Sequence, residues 1–176
     1  MRKEKIDYKE YASKIVDALK PGILLTAKAD DKVNTMVIGW GTIGVNWSKP
    51  VFVAYVRLSR YTRVLLDQNP EFTINVPLNG LDPEVLKVCG SQSGRDLDKL
   101  AACHLTPVEA NTISVPAIKE LPLTLECKVI YRQPLDLSLL EQNIADRQYP
   151  SDENGDRDYH IVYYGEITDA YIIYED

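Results

Sequence analysis

Arginine and hydroxyl side chains are concentrated in one short stretch that follows an apolar run, Val51–Val56. The stretch contains Arg57, Ser59, Arg60, Thr62 and Arg63. The segment YTRVLLDQN predicts a short helix that Ser59 or Thr62 would cap. Because a helix N-terminus offers unpaired N–H groups and partial positive charge, and guanidinium groups bind phosphate oxygens, the stretch predicts a site for one phosphomonoester.

A simpler interpretation of the same stretch stays open. Acidic residues outnumber basic ones in this chain, 26 against 20, so the arginines could pair with surface carboxylates instead. The hydroxyl would then be an ordinary helix cap.

The segment upstream, VNTMVIGWGTIGVNW, adds flat aromatic surface. Gly39, Gly41 and Gly44 spell the G-x-G-x-x-G pattern of dinucleotide-binding folds, but that pattern requires a helix after its last glycine. Only five residues separate Gly44 from Pro50, so no crossover helix fits and parallel βαβ topology is excluded. The glycines instead allow bends or close approach to a ligand ring, which Trp40 and Trp47 could face, unless each tryptophan simply fills a core.

Composition places limits on the partners. The chain has 176 residues, a net charge of −6 and a pI near 5.0, which predicts one domain and argues against nucleic acid or acidic membranes as main partners. Its three cysteines form no CxxC pair, and with two histidines they predict free thiols and no metal site. The charged N-terminus shows no signal region and no stretch could span a bilayer, so we expect a cytoplasmic protein.

The first half of the chain predicts a helix and a hairpin. Apolar residues from Tyr8 to Leu19 recur at helical spacing until Pro21, so residues 1–20 contain an N-terminal amphipathic helix. Gly22–Ala29 and Val33–Trp40 predict two antiparallel strands around the Asp30-Asp31 turn.

The second half adds strands and short helices. A strand is expected at Glu71–Val76 and a helix from Asp82 to Gly90. Leu121–Gln133 alternates apolar and polar residues, which predicts a long strand with one wet face. A helix is possible at Leu137–Ile144, and the segments YHIVYYGEI and DAYIIYE predict two final strands. The fold class is mainly β with short α-helices, and the antiparallel strands indicate a closed or nearly closed barrel.

Several of these segments, in this order, resemble the flavin reductase-like family, especially its flavoredoxin-like branch. They are NTMVIGWGTIG, VRLSRYT, EFTINVP, SGRDLDK and YHIVYYGEI, and together they extend over nearly the whole chain. The resemblance implies an antiparallel Greek-key split β-barrel, the FMN-binding split barrel. It also implies a single domain over residues 1–176, with the helix of residues 1–20 packed on the barrel.

The resemblance further implies FMN as the cofactor and a homodimer with the flavin near the subunit interface. The isoalloxazine ring would lie by the Asn34-Thr35-Met36 strand and Trp40, and the phosphate at Ser59, Arg60 and Thr62. The implied cofactor-binding set is Asn34, Thr35, Met36, Trp40, Ser48, Arg57, Ser59, Arg60, Tyr61, Thr62 and Lys99. Leu58 stands where a proline is common in the family, and the polar segment before His160 is specific to this chain.

The function expected is an FMN-binding oxidoreductase, an NAD(P)H-dependent flavin reductase that passes hydride from nicotinamide to flavin. Alternatives are a flavoredoxin-like carrier that keeps FMN and exchanges electrons with a redox protein, or a non-redox flavin- or haem-binding split barrel. Lys99 could stabilise charge on the reduced flavin or be a solvated helix residue. His160 could contact the substrate side or be a structural histidine.

Overall fold

An antiparallel eight-stranded sheet forms the centre of the protein in the computed structural model, which describes residues 1–175. The strands are β1 (Arg2–Lys5), β2 (Ile23–Ala29), β3 (Lys32–Ile38), β4 (Gly41–Asn46), β5 (Lys49–Arg57), β6 (Glu71–Val76), β7 (Pro107–Val108), β8 (Ala117–Ile118), β9 (Leu123–Pro134) and β10 (His160–Tyr174). The helices are α1 (Ala12–Leu19), α2 (Tyr61–Gln68), α3 (Pro83–Ser91), α4 (Lys99–Ala102) and α5 (Gln142–Gln148). The strand order is β3-β2-β6-β9-β10-β5-β4, with β1 on β10 and with β7 and β8 as a separate pair.

The longest strand, β10, holds the two halves of the sheet together. One edge of β10 pairs with β9. The other edge pairs first with β5, from His160 opposite Arg57, and then with β1, up to Tyr174 opposite Arg2. The sequence predicted two final strands here, but they are one strand whose register shifts at Tyr164/Gly165 and between Ile167 and Asp169.

Two hairpins shape the part of the sheet that matters for the site. The predicted β2–β3 hairpin is confirmed, with Ile23 opposite Ile38. The glycine-rich segment was expected to bend, but Gly41–Asn46 is a strand, β4, that pairs with β5. Trp47 and Ser48 make the tight turn, with φ of 51° and 57°, the left-handed pair that two-residue hairpins require. The exclusion of parallel βαβ topology is therefore confirmed.

The core lies on the inner face of the sheet and is closed by two helices. Ile15 and Leu19 of α1, and Leu65 and Leu66 of α2, belong to the same buried cluster as the strand residues. The predicted N-terminal helix is confirmed in part: residues Tyr8–Tyr11 form a 3-10 turn and the α-helix begins at Ala12.

One face of β9 was expected to be wet, and this is wrong for its first half. Thr124 and Glu126 are fully buried. The Glu126 carboxylate accepts hydrogen bonds from the backbone N–H groups of Asn111 and Thr112, at 2.7 Å each, and from the Thr112 hydroxyl. The segment between β7 and β8 therefore covers this face and supplies partners for its polar groups.

The predicted helix at Leu137–Ile144 is also misplaced. A 3-10 turn covers Leu137–Leu139, and the α-helix α5 runs later, over Gln142–Gln148. The helix predicted from Asp82 to Gly90 is confirmed as α3, with Asp82 as its N-cap and Pro83 in its first turn.

Candidate functional site

A cavity opens where the two ends of the strand path meet. β3 and β4 are the ends of that path, and the corner Gly39-Trp40 joins them. β3 and β5 make no ladder with each other among residues 1–175, yet both line a cavity of about 170 Å³ together with the start of β10. The split in the barrel is therefore the place where side chains from distant segments converge on a cavity.

Three aromatic rings line this cavity, together with aliphatic side chains and two arginines. Met36, Trp40, Tyr55 and His160 line it. The Trp40 indole is 42% exposed and lies 4.9 Å from the His160 imidazole, measured between ring centres. An exposed flat side chain at the mouth of a partly apolar cavity can stack on a planar ring.

His160 is a neutral, anchored side chain. Its Nδ1 is 2.7 Å from the hydroxyl of Tyr149, which follows α5. Burial, assisted by the nearby positive charge of Arg57, lowers the pKa of His160 to about 4. His160 is therefore uncharged near neutral pH and offers polar ring nitrogens without a net charge.

Arg57 also lines this cavity, but its guanidinium already donates hydrogen bonds to backbone carbonyls. Its two terminal nitrogens donate to the backbone carbonyls of Asp158 and Gln148, at 2.6 and 3.0 Å. The guanidinium also stacks over the Tyr149 ring, 5.2 Å from its centre. Arg57 thus ties the segment after α5 to the cavity wall, and its charge reaches the cavity from a fixed position.

A second, smaller cavity of about 80 Å³ adjoins the first, because Met36 and Arg60 line both. It lies at the N-terminus of α2 and is lined by Asn34, Met36, Ser59, Arg60, Tyr61, Thr62, Lys99 and the loop Ser91–Gly94. Seven of the predicted cofactor-binding residues therefore meet in one place. We call the two adjoining cavities together the seam groove. Its aromatic end is the larger cavity, with the rings of Trp40, Tyr55 and His160, and its polar end is the smaller cavity, with Ser59, Thr62 and Lys99.

The hydroxyls do not cap α2 as the sequence predicted. Arg60 is the N-cap residue, and no side chain bonds to the helix N-terminus. The Ser59 hydroxyl and N–H both donate to the Asp158 carboxylate, at 2.7 and 3.0 Å. The Thr62 hydroxyl oxygen accepts from the Asn34 amide at 2.7 Å. The Tyr61 and Thr62 backbone N–H groups at the start of α2 therefore have no side-chain cap, and both residues line the smaller cavity.

The arginines of the cluster differ in what they bind. Arg63 donates to the Leu58 carbonyl, which precedes α2, and pairs with Asp67 of α2 at 2.6 Å. Its guanidinium is therefore already bound by groups of this chain. Arg60 lines both cavities, and its guanidinium makes no hydrogen bond or ion pair within residues 1–175. Arg60 is therefore the available cation at the point where the two cavities meet.

Lys99 lies deep under the smaller cavity and is not a solvated helix residue. It is 5% exposed, and its ammonium donates to the backbone carbonyls of Thr35 and Cys89, at 3.1 Å each. Burial is the main cause that lowers the pKa of Lys99. With two of its three N–H donors used, the ammonium retains one donor for a further acceptor.

Two predicted residues lie outside the cavities. The Thr35 side chain is fully buried and bonds within the sheet, to Thr26 and the Leu25 carbonyl. Ser48 is in the β4–β5 turn, at the opposite end of β5 from Arg57, a span of roughly 27 Å for a nine-residue strand. Within one chain Ser48 does not join the site.

The structure adds residues that the sequence analysis did not select. Tyr55 and Tyr149 lie at the aromatic cavity, and Arg95 stacks over the Tyr61 ring at 5.2 Å while donating to the Ser59 carbonyl. Gly94 packs so closely on Asn34 that a Cβ there would lie 1.9 Å from the Asn34 Oδ1. The Ser93-Gly94-Arg95 motif is part of the family resemblance, but the local sequence does not reveal that Gly94 contacts Asn34.

The site combines aromatic surface with an unpaired guanidinium and a buried ammonium. Among residues 1–175 no group of three or more His, Cys, Asp or Glu side chains could hold a metal ion. No helix in the described part of the chain is long and apolar enough to cross a membrane. The fold defines this chain as a split-barrel protein with two adjoining cavities at the seam.

The comparisons with known proteins give the family. Residues 20–175 match the family model of the flavin reductase like domain, so the chain belongs to the flavin reductase-like family. An FMN-binding domain of a flavin reductases-like enzyme from Shewanella baltica has a TM-score of 0.64 and 19% identity, over 97% of this chain and 77% of that one. At that identity the likeness shows the fold, and it confirms the predicted split barrel.

Two further relatives are more similar in sequence. Flavoredoxin from Methanosarcina acetivorans is 28% identical with a TM-score of 0.63, over 88% of this chain and 69% of that one. An uncharacterized protein of Archaeoglobus fulgidus is 34% identical over 100 residues, which are 57% of this chain and 55% of the relative. That match spans only about half of the relative's length.

Proposed function

We propose that the protein binds FMN in the seam groove and acts as an NAD(P)H-dependent flavin reductase. Membership of the flavin reductase-like family and the FMN-binding domain among the similar structures support the cofactor. The observation that carries the proposal is that the unpaired Arg60 guanidinium lines both cavities, between Trp40 in the larger one and the N-terminus of α2 in the smaller one.

The polar end of the groove fits a phosphate monoester. Arg60 supplies a free guanidinium, the N-terminus of α2 supplies backbone donors, and Lys99 supplies one further N–H. Ser59 can join only by turning its hydroxyl away from Asp158. These donors surround a small space, as a single phosphate group requires.

The aromatic end fits a planar tricyclic ring. Trp40 would cover the ring at the mouth, while Met36 and the neutral His160 line the inner side. When bound, FMN would supply the two-electron redox chemistry. The contribution of this chain is to orient the ring, to exclude water on the inner side, and to hold positive charge from Arg60 and Lys99 near the site.

The phosphate contact is tested by comparing FMN with riboflavin, which lacks the phosphate. Removing one charged hydrogen-bonding partner costs roughly 1.5–3 kcal/mol, so Arg60→Ala should weaken FMN binding by about ten- to a hundredfold. Riboflavin affinity should barely change. Arg63→Ala is the matched control, because it removes the same charge from α2 but from a side chain already paired with Asp67.

Equal weakening of both flavins by Arg60→Ala would show that Arg60 has a structural role and would contradict the phosphate site. The thermodynamic cycle formed by two flavins and two proteins isolates the contact, since any general loss of stability cancels. Reductase activity is tested separately, by NADH and NADPH oxidation with and without added FMN.

A flavoredoxin-like carrier is the second candidate, favoured by the 28% identity to the flavoredoxin from Methanosarcina acetivorans. A carrier would retain FMN through purification and be reduced by a redox protein or by dithionite. It would oxidise neither nicotinamide at a useful rate. Yellow protein that is inert to both nucleotides therefore supports the carrier, and rapid nucleotide oxidation supports the reductase.

The proposal includes a homodimer. The outer face of β5, β9 and β10 carries an aromatic and aliphatic cluster. Val51, Val53 and Val162 are buried in it, Tyr55 and Tyr164 pack against them and are partly exposed, and Trp47 and Tyr131 are exposed. Trp47 is 59% exposed, although its ring contacts Tyr131 and Tyr164. Tyr55 belongs both to this face and to the aromatic cavity, so a second copy bound here would border the groove.

Cavity size agrees with a shared site. Each of the two cavities is smaller than the roughly 300 Å³ at the lower end for small-molecule sites, so one chain encloses only part of a ligand. Sedimentation should give a dimer for the unchanged protein and for Leu139→Arg, a control at another exposed apolar residue. Tyr131→Arg should give a monomer. A monomeric unchanged protein with flavin bound would contradict the shared site.

A further inference from the structure

Two free thiols lie side by side between α3 and α4. The Cys89 and Cys103 sulfurs are 3.9 Å apart. Cys89 belongs to the last turns of α3, and Cys103 directly follows α4. The third cysteine, Cys127, is fully buried on β9 within the main core.

The two thiols differ in access. Cys89 is 1% exposed, whereas Cys103 is partly exposed. Burial is the main cause that raises the pKa of the Cys89 thiol to about 12. An oxidant from solution therefore meets Cys103 first, and Cys89 lies behind it as a protonated thiol.

The pair is also attached to the groove. The Lys99 ammonium donates to the Cys89 carbonyl, and the Cys103 N–H donates to the Lys99 carbonyl, both at 3.1 Å. Lys99 lines the smaller cavity. The thiol pair therefore lies directly behind the residue that forms the base of the phosphate end.

We propose that Cys89 and Cys103 form a redox modification site, which hydroperoxides convert to an intramolecular disulfide in the folded protein. The geometry requires the sulfurs to approach from 3.9 Å to about 2.0 Å. Neither sulfur has to cross another element, because each is already the other's neighbour. The site is independent of the nature of the cofactor.

The chemistry balances in two steps. Deprotonated Cys103 attacks one oxygen of hydrogen peroxide, the O–O bond breaks, and the released hydroxide becomes water, which leaves Cys103 as a sulfenic acid. The Cys89 sulfur then attacks the Cys103 sulfur, the S–O bond breaks, and the departing hydroxide leaves as water with the Cys89 proton. The two thiols together lose two electrons and two protons to the peroxide.

The test oxidises native, purified protein with hydrogen peroxide and counts thiols after unfolding. The count should fall from three to one, and peptide mapping should find Cys89 joined to Cys103. Dithiothreitol should restore all three thiols. Cys127→Ala is the matched control and should form the same crosslink, leaving no free thiol.

Single variants check the order of the steps. Cys89→Ala should stop at a Cys103 sulfenic acid that dimedone traps, and Cys103→Ala should leave Cys89 unmodified. Retention of all three thiols in the unchanged protein, or crosslinks only between chains, would overturn the proposal. Because none of these readouts involves flavin, failure of FMN binding would leave this test intact, and the reverse also holds.

Discussion

Replacing Gly94 by alanine perturbs the wall of the smaller cavity without removing a charge or a hydrogen-bonding group. Gly94 has an ordinary backbone conformation, so alanine causes no strain of its own there. The added Cβ would lie 1.9 Å from Oδ1 and 2.5 Å from Cγ of Asn34. Atoms cannot approach so closely, and either the loop Ser91–Gly94 or the Asn34 side chain must move.

The loss in the free energy of unfolding depends on whether the loop Ser91–Gly94 or the Asn34 side chain moves. Displacing a packed segment to admit one methyl group costs roughly 1–3 kcal/mol. Turning Asn34 instead breaks its 2.7 Å hydrogen bond to Thr62 and leaves buried polar groups unpaired, which also costs about 1–3 kcal/mol. The two routes are alternatives, so we expect a loss of about 1–3 kcal/mol rather than the sum.

Urea unfolding of Gly94→Ala, Asn34→Ala and the double variant measures this loss. The Asn34→Ala substitution removes the atoms that clash, so Gly94→Ala should be nearly neutral in that background, with a coupling energy of about 1–3 kcal/mol. Gly44→Ala is the control, because nothing lies within 4 Å of the added Cβ. It should be neutral or stabilising by up to about 1 kcal/mol.

FMN titration supplies the functional arm of the same experiment. A displaced loop or a turned Asn34 changes the wall of the smaller cavity, so Gly94→Ala should weaken FMN binding, by about tenfold for each 1.4 kcal/mol of binding free energy that the changed wall removes. Gly44→Ala should bind as the unchanged protein does. The reasoning is refuted if Gly94→Ala matches Gly44→Ala in both stability and affinity.

Two further predictions concern the aromatic end. The folded-state pKa of His160, about 4, is below its unfolded value of about 6.5, so the unfolded chain takes up the proton first as pH falls. Urea unfolding should show that the unchanged protein loses about 2 kcal/mol more than His160→Gln between about pH 7 and about pH 4.5, and equal losses would contradict the buried neutral imidazole. Adding FMN should quench tryptophan fluorescence, and Trp40→Phe should abolish most of that quenching while Trp47→Phe keeps it. The opposite pattern would place the ring at the β4–β5 turn.

Local patterns in the sequence predicted the elements whose signals are complete within a few residues. Glu71–Val76 is confirmed as β6 with the same bounds, because it is a compact apolar strand between turn residues. The helix opened by Asp82-Pro83 carries its own cap and its own start signal. The β2–β3 hairpin contains its turn between its two strands.

The sequence predictions were wrong where residues far apart in the chain determine whether a side chain is buried or a segment is extended. Alternation along Leu121–Gln133 predicted a wet face, but Glu126 is buried because the loop that contains Asn111 and Thr112 returns to bond it. No local pattern reveals that a carboxylate will meet two backbone N–H groups from another segment. The strand β4 was missed because its glycines suggested a bend, whereas β5 supplies the partner that keeps it extended.

In the candidate site, too, local residue types predicted some features, while contacts with distant segments determine the others. The residue pattern predicted an anion site in the arginine-rich stretch, but ranking its arginines firmly requires knowing which guanidinium groups are already paired. The ranking depends on partners from other elements: Arg57 is held by carbonyls of the segment after α5 and Arg63 by Asp67, which leaves Arg60.

Asp158 extends this argument. It occupies both donors of Ser59, a residue that the sequence assigned to the phosphate. An anion entering the smaller cavity must therefore compete with a carboxylate for Ser59, but it meets no such competitor at Arg60. Arg60 should accordingly contribute more to binding than Ser59, although both lie in the same motif and the family resemblance assigns both to the phosphate.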